Sequence, residues 1–261
     1  WAGGKGQLLE QYSAFFPPKY TNYLEPFLGG GAVYFHLRPQ KAILSDLNEE
    51  LVNCYLIIKK TVDKLVQVLE QYQSHHSEDF YYKIREKYNS RVSDKIERAA
   101  EFIYLNKTCY NGLYRVNGKG GFNVPFGGYK APSIFDAGNL RAISRLLRTA
   151  DIFAMPFENV VNFANSDDFV YLDPPYYPLN ETSNFTGYTK AVFLEAEQEN
   201  LAAVFKELDK KGCHVMLSNS DSTFIKGLYQ GFRIETVRAN RFINSVAEKR
   251  GAINELAILN Y

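Results

Sequence analysis

Phe169-Val170-Tyr171-Leu172-Asp173-Pro174-Pro175-Tyr176-Tyr177 reads as a buried strand that stops abruptly. Four apolar residues follow Asp167-Asp168, and two prolines close the run. Proline donates nothing to a sheet ladder, so the strand ends at Asp173. The prolines hold their carbonyls rigidly and bring few N–H groups near them. A carboxylate, rigid carbonyls and a flat ring then form one edge. Such an edge suits a planar amine, with oxygens taking its two N–H bonds and the ring stacking on its face.

Strand and helix signals alternate on both sides of this stretch. Downstream come a polar loop over 177–192, a helix over Leu194–Lys210 ended by Gly212, a strand Val215–Leu217 running into Ser218-Asn219-Ser220, and a helix over Asp221–Tyr229. Phe232–Val237 and Glu255–Leu259 follow with no helix between them, as expected of an antiparallel pair at a sheet edge. Upstream lie a strand Ile152–Met155 and a short helix Phe157–Ala164.

At the other end of the chain, Trp1-Ala2-Gly3-Gly4-Lys5 precedes a short amphipathic helix stopped by Pro17-Pro18. The glycines admit close backbone approach and Lys5 offers a cation. A strand over Asn22–Phe27 then enters Leu28-Gly29-Gly30-Gly31 and a helix Ala32–Leu37, the order that sets a ligand over a helix start. Tyr34 stands where the dinucleotide fingerprint needs a third glycine, and no phosphate-loop Gly-Lys-Ser/Thr follows, so a pyrophosphate ligand is disfavoured. A ligand with ribose and amino-acid portions, such as S-adenosylmethionine, needs the turn without the phosphate cradle. The next strand, Ala42–Ser45, ends at Asp46, which has two compatible readings: an acceptor for ribose hydroxyls, or an N-cap for the helix from Glu49.

Between these α/β pieces, about 1–55 and 150–261, the alternation lapses into helical periodicity. One amphipathic helix runs through Val62–Leu69, others over Phe80–Tyr88, Ile96–Leu105 and Leu140–Leu147. The Gly- and Asn-dense stretch Tyr110–Gly127 reads as a hairpin with a Gly-rich tip. Its interleaved aromatic, amide and Arg side chains suit base edges and base steps, although a hairpin that only covers the helices has the same pattern. The expected architecture is therefore an α/β domain interrupted by a helical insertion over 56–149.

Composition excludes several classes. A net charge of +1 argues against a strongly basic nucleic-acid binder. The basic clusters Arg141/Arg145/Arg148 and Arg238/Arg241/Lys249/Arg250 read as solvated faces. The longest apolar run, Leu51–Ile58, is too short for a bilayer, so no membrane is expected. Cys54, Cys109 and Cys213 are odd in number and far apart, which reads as buried free thiols in a cytosolic protein. His36, His75, His76 and His214 show no ligand spacing, so no metal is expected.

Six segments, in order, resemble the Dam-type adenine-N6 DNA methyltransferases: Trp1–Lys5, Glu25–Gly31, Ser45–Asn48, Tyr110–Arg115, Phe122–Gly127 and Asp173–Tyr176. The resemblance spans essentially the whole chain. It implies a Rossmann-like methyltransferase sheet with an inserted helical DNA-recognition domain, S-adenosylmethionine as methyl donor and double-stranded DNA as partner. It implies that Trp1 and Lys5 border the cofactor, that Asp46 holds its ribose, and that Phe27 and Phe157 pack around it. Asp173 would sit between cofactor and target amine, with Pro174 accepting a hydrogen of that amine and Tyr176 stacking on the base. Tyr110 would wedge into the duplex and Arg115 read a guanine, with Asn111 and Leu113 between them, and GATC is the implied target. A monomer or weak dimer in the cytoplasm, associated with nucleoid DNA, is the matching expectation. The alternative is an amino methyltransferase acting on another base or on RNA. Serine at position 173 would have pointed to cytosine, and asparagine to a protein amide.

Overall fold

The computed structural model describes residues 5–179, 193–240 and 252–261. Trp1, the 180–192 part of the expected loop, and Arg241, Lys249 and Arg250 lie outside the described residues. In chain order, α1 (Leu9–Ser13), β1 (Tyr23–Glu25), α2 (Ala32–Leu37) and β2 (Ala42–Asp46) come first. They are followed by α3 (Glu49–Ser74), α4 (Glu78–Ser90), α5 (Lys95–Thr108), α6 (Ala137–Leu146) and β3 (Ala150–Ala154). Then come β4 (Phe169–Leu172), α7 (Glu195–Lys210), β5 (His214–Ser220), α8 (Thr223–Leu228), β6 (Arg233–Asn240) and β7 (Ala252–Leu259).

The strands form a seven-stranded sheet in the order β3-β2-β1-β4-β5-β7-β6. The first five positions follow the doubly wound 3-2-1-4-5 order of a Rossmann-like sheet. β1 runs parallel to β2 and β4, and β4 parallel to β5. β7 inserts between β5 and β6, antiparallel to both, so the final pair sits at the edge as its sequence foretold. β4 is central and every residue of it is buried, which is why Phe169–Leu172 is an unbroken apolar run.

The chain divides into two compact units, one of Asp46–Ala154 and one holding the described parts of 5–45 and 155–261. In the second unit, one sheet face carries an apolar core in which Leu24, Val170, Leu172, Leu217, Leu256 and Ile258 meet Leu201, Phe205 and Leu208 of α7. In the first unit, α3 packs on α5, burying Leu65, Leu69, Ala99, Ala100 and Tyr104. Each helix there starts on a side-chain cap: Asn48 for α3, Ser77 for α4, Asp94 for α5 and Asp136 for α6. An ion pair joins Arg98 of α5 to Glu50 of α3, with Nε 2.9 Å from Oε2.

Three expectations change in detail. The helix from Glu49 and the one through Val62–Leu69 are a single element, α3, interrupted at Thr61 (φ −145°, ψ 39°), whose hydroxyl bonds back to the Ile57 carbonyl. The short helix after Pro156 is a 3-10 segment, Phe157–Asn162. The Tyr110–Gly127 excursion doubles back as a hairpin does, yet it has only two isolated bridges, Cys109–Phe126 and Val116–Phe122. Its first residues, Tyr110–Gly112, form a 3-10 turn. The second arm is tied to α4 by side chains instead of a ladder. Asn89 bonds both the N–H and the carbonyl of Phe122, and Tyr81 and Arg85 both donate to the Val124 carbonyl.

Candidate active site

Parallel pairing puts the C-terminal ends of β1, β2 and β4 on one sheet edge, so Pro26-Phe27, Asp46 and Asp173 all leave from that edge. After β1 the chain turns through Gly29 (φ 45°) and Gly31 (φ 66°), left-handed conformations that glycine adopts without strain. The Leu28 N–H bonds the Ser45 carbonyl, which pins this turn to β2. The two readings of Asp46 separate here. Asn48 caps α3, accepting from the Glu50 and Leu51 N–H groups, whereas Asp46 accepts the Asn48 N–H at 2.9 Å.

Asp173 is gripped through one oxygen. Its Oδ1 takes the Lys5 ammonium at 3.0 Å and the Ser218 hydroxyl at 2.7 Å. Among the described residues no hydrogen bond reaches Oδ2 or the Pro174 carbonyl. The Pro175 carbonyl differs from that expectation of open acceptors, because Gln198 Nε2 donates to it at 3.0 Å. Gln198 is fully buried on α7 and accepts from Asn219 Nδ2 at 2.9 Å. Asn219 Oδ1 in turn accepts the Tyr177 N–H at 3.1 Å. A buried amide pair thus fixes the backbone on the far side of the prolines.

Tyr176 is held at both ends. Its hydroxyl donates to Glu255 Oε2 at 2.7 Å, and the Lys5 ammonium lies 4.3 Å from its ring centroid. Burial first, and then the neighbouring Tyr12, Asp173 and Glu255, push the Tyr176 phenol well above its ordinary range. Burial first, and then Glu255 and Asp173, raise Tyr12 as well. Both phenols keep their protons, and the Tyr176 hydroxyl is a donor. Phe27 and Phe157 stack at 5.2 Å, and Phe193 closes on both at 5.9 and 5.8 Å. Next in sequence to Phe157, Glu158 accepts from Asn200 Nδ2 on Oε1, and its buried Oε2 has no partner among the described residues.

A family model of the D12 class N6 adenine-specific DNA methyltransferases matches residues 1–243. This chain belongs to that family. It is an adenine-specific DNA methyltransferase, and its substrate is DNA. It is 47% identical over 281 residues to the type II methyltransferase M.MjaIII of Methanocaldococcus jannaschii, covering 100% of this chain and 97% of that protein. Type II methyltransferase M1.LlaDCHI of Lactococcus lactis subsp. cremoris is 44% identical over 266 residues, covering 100% and 94%. A DNA adenine methylase of Haemophilus influenzae is 36% identical over 260 residues, covering 98% and 90%.

The D12 methyltransferase thus brings Lys5, Asp173 and Tyr176 into one cluster, and Phe27 and Phe157 into another. Its four residues of expected DNA contact lie on the excursion of the helical unit. Tyr110 is exposed, with its N–H bonded to the Pro125 carbonyl. Asn111 (φ 54°) and Gly112 (φ 61°) are both left-handed, a tight reversal that brings the Leu113 N–H back onto the Tyr110 carbonyl. Arg115 is exposed, and its Nε is steadied by Asn123 Oδ1 at 2.8 Å.

Sequence reading missed Ser218, Gln198, Asn219, Glu255 and Phe193. In the sequence, Ser218-Asn219-Ser220 reads only as a polar strand end. Glu255 carries a local signal, an acid opening the apolar run Leu256–Leu259. Among the described residues no group of His, Cys, Asp and Glu could hold a metal, and no helix is long and apolar enough to cross a membrane. All three cysteines are buried and free.

Proposed function

We propose that this enzyme transfers a methyl group from S-adenosylmethionine to N6 of an adenine flipped out of duplex DNA, within GATC. One observation carries the reading: Asp173 is held through Oδ1, while among the described residues nothing bonds Oδ2 or the neighbouring Pro174 carbonyl. When bound, S-adenosylmethionine supplies an activated methyl on a sulfonium. The aromatic trio and Glu158 Oε2, which has no partner among the described residues, fit such a group, offering apolar walls and an acceptor for its exocyclic amine. Phe27, Phe157 and Lys5 are accordingly read as cofactor-site residues, and Trp1 and Asp46 with them from the sequence alone.

The lone pair of N6 is delocalised into the purine, which makes it a poor nucleophile. Asp173 Oδ2 and the Pro174 carbonyl accept its two hydrogens, favour a pyramidal nitrogen and stabilise its developing positive charge. Tyr176 offers a ring for the base to stack on. None of this is reachable inside a duplex, so the base leaves the stack. Tyr110 fills the vacated step, and Arg115 reads a guanine with Asn111 and Leu113 beside it. The helical unit is thus the target-recognition part and the other unit the catalytic part. Relatives named type II methyltransferases support a place beside a restriction enzyme.

Labelled S-adenosylmethionine incubated with GATC and scrambled duplexes tests this reading. Label on adenine N6 in the first duplex alone is expected. Label in both, or on another base, would contradict it.

A further inference from the structure

Glu255 stands on β7, which none of the expected site segments includes. The register pairs it with Ser220 on β5 and pairs Ser218 with Ala257. Side chains alternate along a strand, so Ser218, Ser220 and Glu255 share one sheet face while Leu217, Leu256 and Ile258 enter the core on the other. That shared face is the one from which Ser218 bonds Asp173. From it the Glu255 carboxylate accepts the Tyr176 hydroxyl at 2.7 Å and lies 3.8 Å from the Lys5 ammonium.

Two consequences follow. First, the hydroxyl bond pins the far end of the Tyr176 side chain and so fixes where its ring stands. Second, Lys5 is divided between two carboxylates, at 3.0 and 3.8 Å. With Asp173 as its only partner, the ammonium would cancel that charge. With Glu255 present, the formal charges of the three groups leave a negative excess beside an amine that becomes positive as it is methylated. A carboxylate this sheltered is costly unless paired, and among the described residues its hydrogen bond and its ion pair both go to the site.

We propose that Glu255 is a positioning residue for methyl transfer, anchoring the Tyr176 side chain and giving the Lys5–Asp173–Glu255 cluster a net negative charge. The proposal rests on the reading of function above.

The test is single-turnover transfer from labelled S-adenosylmethionine to a duplex that the wild type methylates, with Glu255→Gln, Tyr176→Phe and the double variant. Glu255→Gln should slow the saturated rate by about tenfold, with KM for DNA within about twofold. Tyr176→Phe keeps the ring and loses only the bond, and it should also slow the rate. The double variant should be no slower than Glu255→Gln alone, since the shared bond can be lost only once. Wild-type rates in Tyr176→Phe, or effects that multiply in the double variant, overturn the proposal, and the first result decides even if Glu255→Gln fails to fold. A wild type that labels no adenine would overturn the underlying reading instead, which is a distinguishable result.

Discussion

Ser218 Oγ donates to Asp173 Oδ1 across 2.7 Å, from one parallel strand to the residue that ends its neighbour. The register makes the bond: Leu172 pairs with Leu217, so the next residue on each strand meets at the sheet edge. The bond and the Lys5 pair converge on the same oxygen and orient the other. Ser218→Ala should therefore slow methyl transfer without unfolding the enzyme. A hydrogen bond to a charged group is worth about 1.5–3 kcal/mol, so a loss of about tenfold or more in single-turnover rate is expected. An unchanged rate would separate the bond from the chemistry.

Gln198 gives a different kind of prediction. It satisfies the Pro175 carbonyl and the Asn219 amide from a fully buried position. Gln198→Leu keeps much of the bulk but strands both partners, at a cost of about 2 kcal/mol or more. The urea midpoint should fall accordingly. A midpoint equal to wild type would mean that the amide network contributes nothing to holding the turn.

Arg115 is expected to act on selectivity. Its guanidinium is exposed and steadied by Asn123. Arg115→Ala should relax discrimination at one guanine by about 1–3 kcal/mol, measured as kcat/KM across duplexes substituted at each position of the site. An unchanged ranking would rule the assignment out.

Glu101 should leave a signature in the pH dependence of stability. Burial, which outweighs Ser93 and Lys87, raises its carboxyl above the ordinary glutamate range. The folded state then binds that proton more tightly than the unfolded state does. The stabilising contribution is full below the ordinary glutamate pKa and is lost as pH rises through the folded value. Glu101→Gln should remove this fall in unfolding free energy, read from urea midpoints over a pH series. The same slope in both proteins would contradict it.

Which features were legible follows from how local their causes are. Asp173, its prolines and the strand before them are fixed by adjacent residues, and so are the glycine turn and the capped helices. The grip on Asp173 was not legible because it depends on register: Ser218 stands 45 residues on and Gln198 reaches the Pro175 carbonyl from 23 residues away. Glu255 meets Tyr176 across 79 residues, through a strand order that local periodicity does not encode. Asp46 and Asn48 are both good caps by type, and only the backbone angle at the helix start chooses Asn48. The Tyr110–Gly127 reversal was visible in its glycines. The missing ladder was not, since Asn89, Tyr81 and Arg85, which replace it, belong to a helix read separately.

Asp173→Ala tests the central claim most directly. Single-turnover transfer from labelled S-adenosylmethionine to adenine in duplex DNA should vanish, while equilibrium binding of the same duplex stays close to wild type. A near-normal transfer rate in that variant would contradict the role given to the carboxylate.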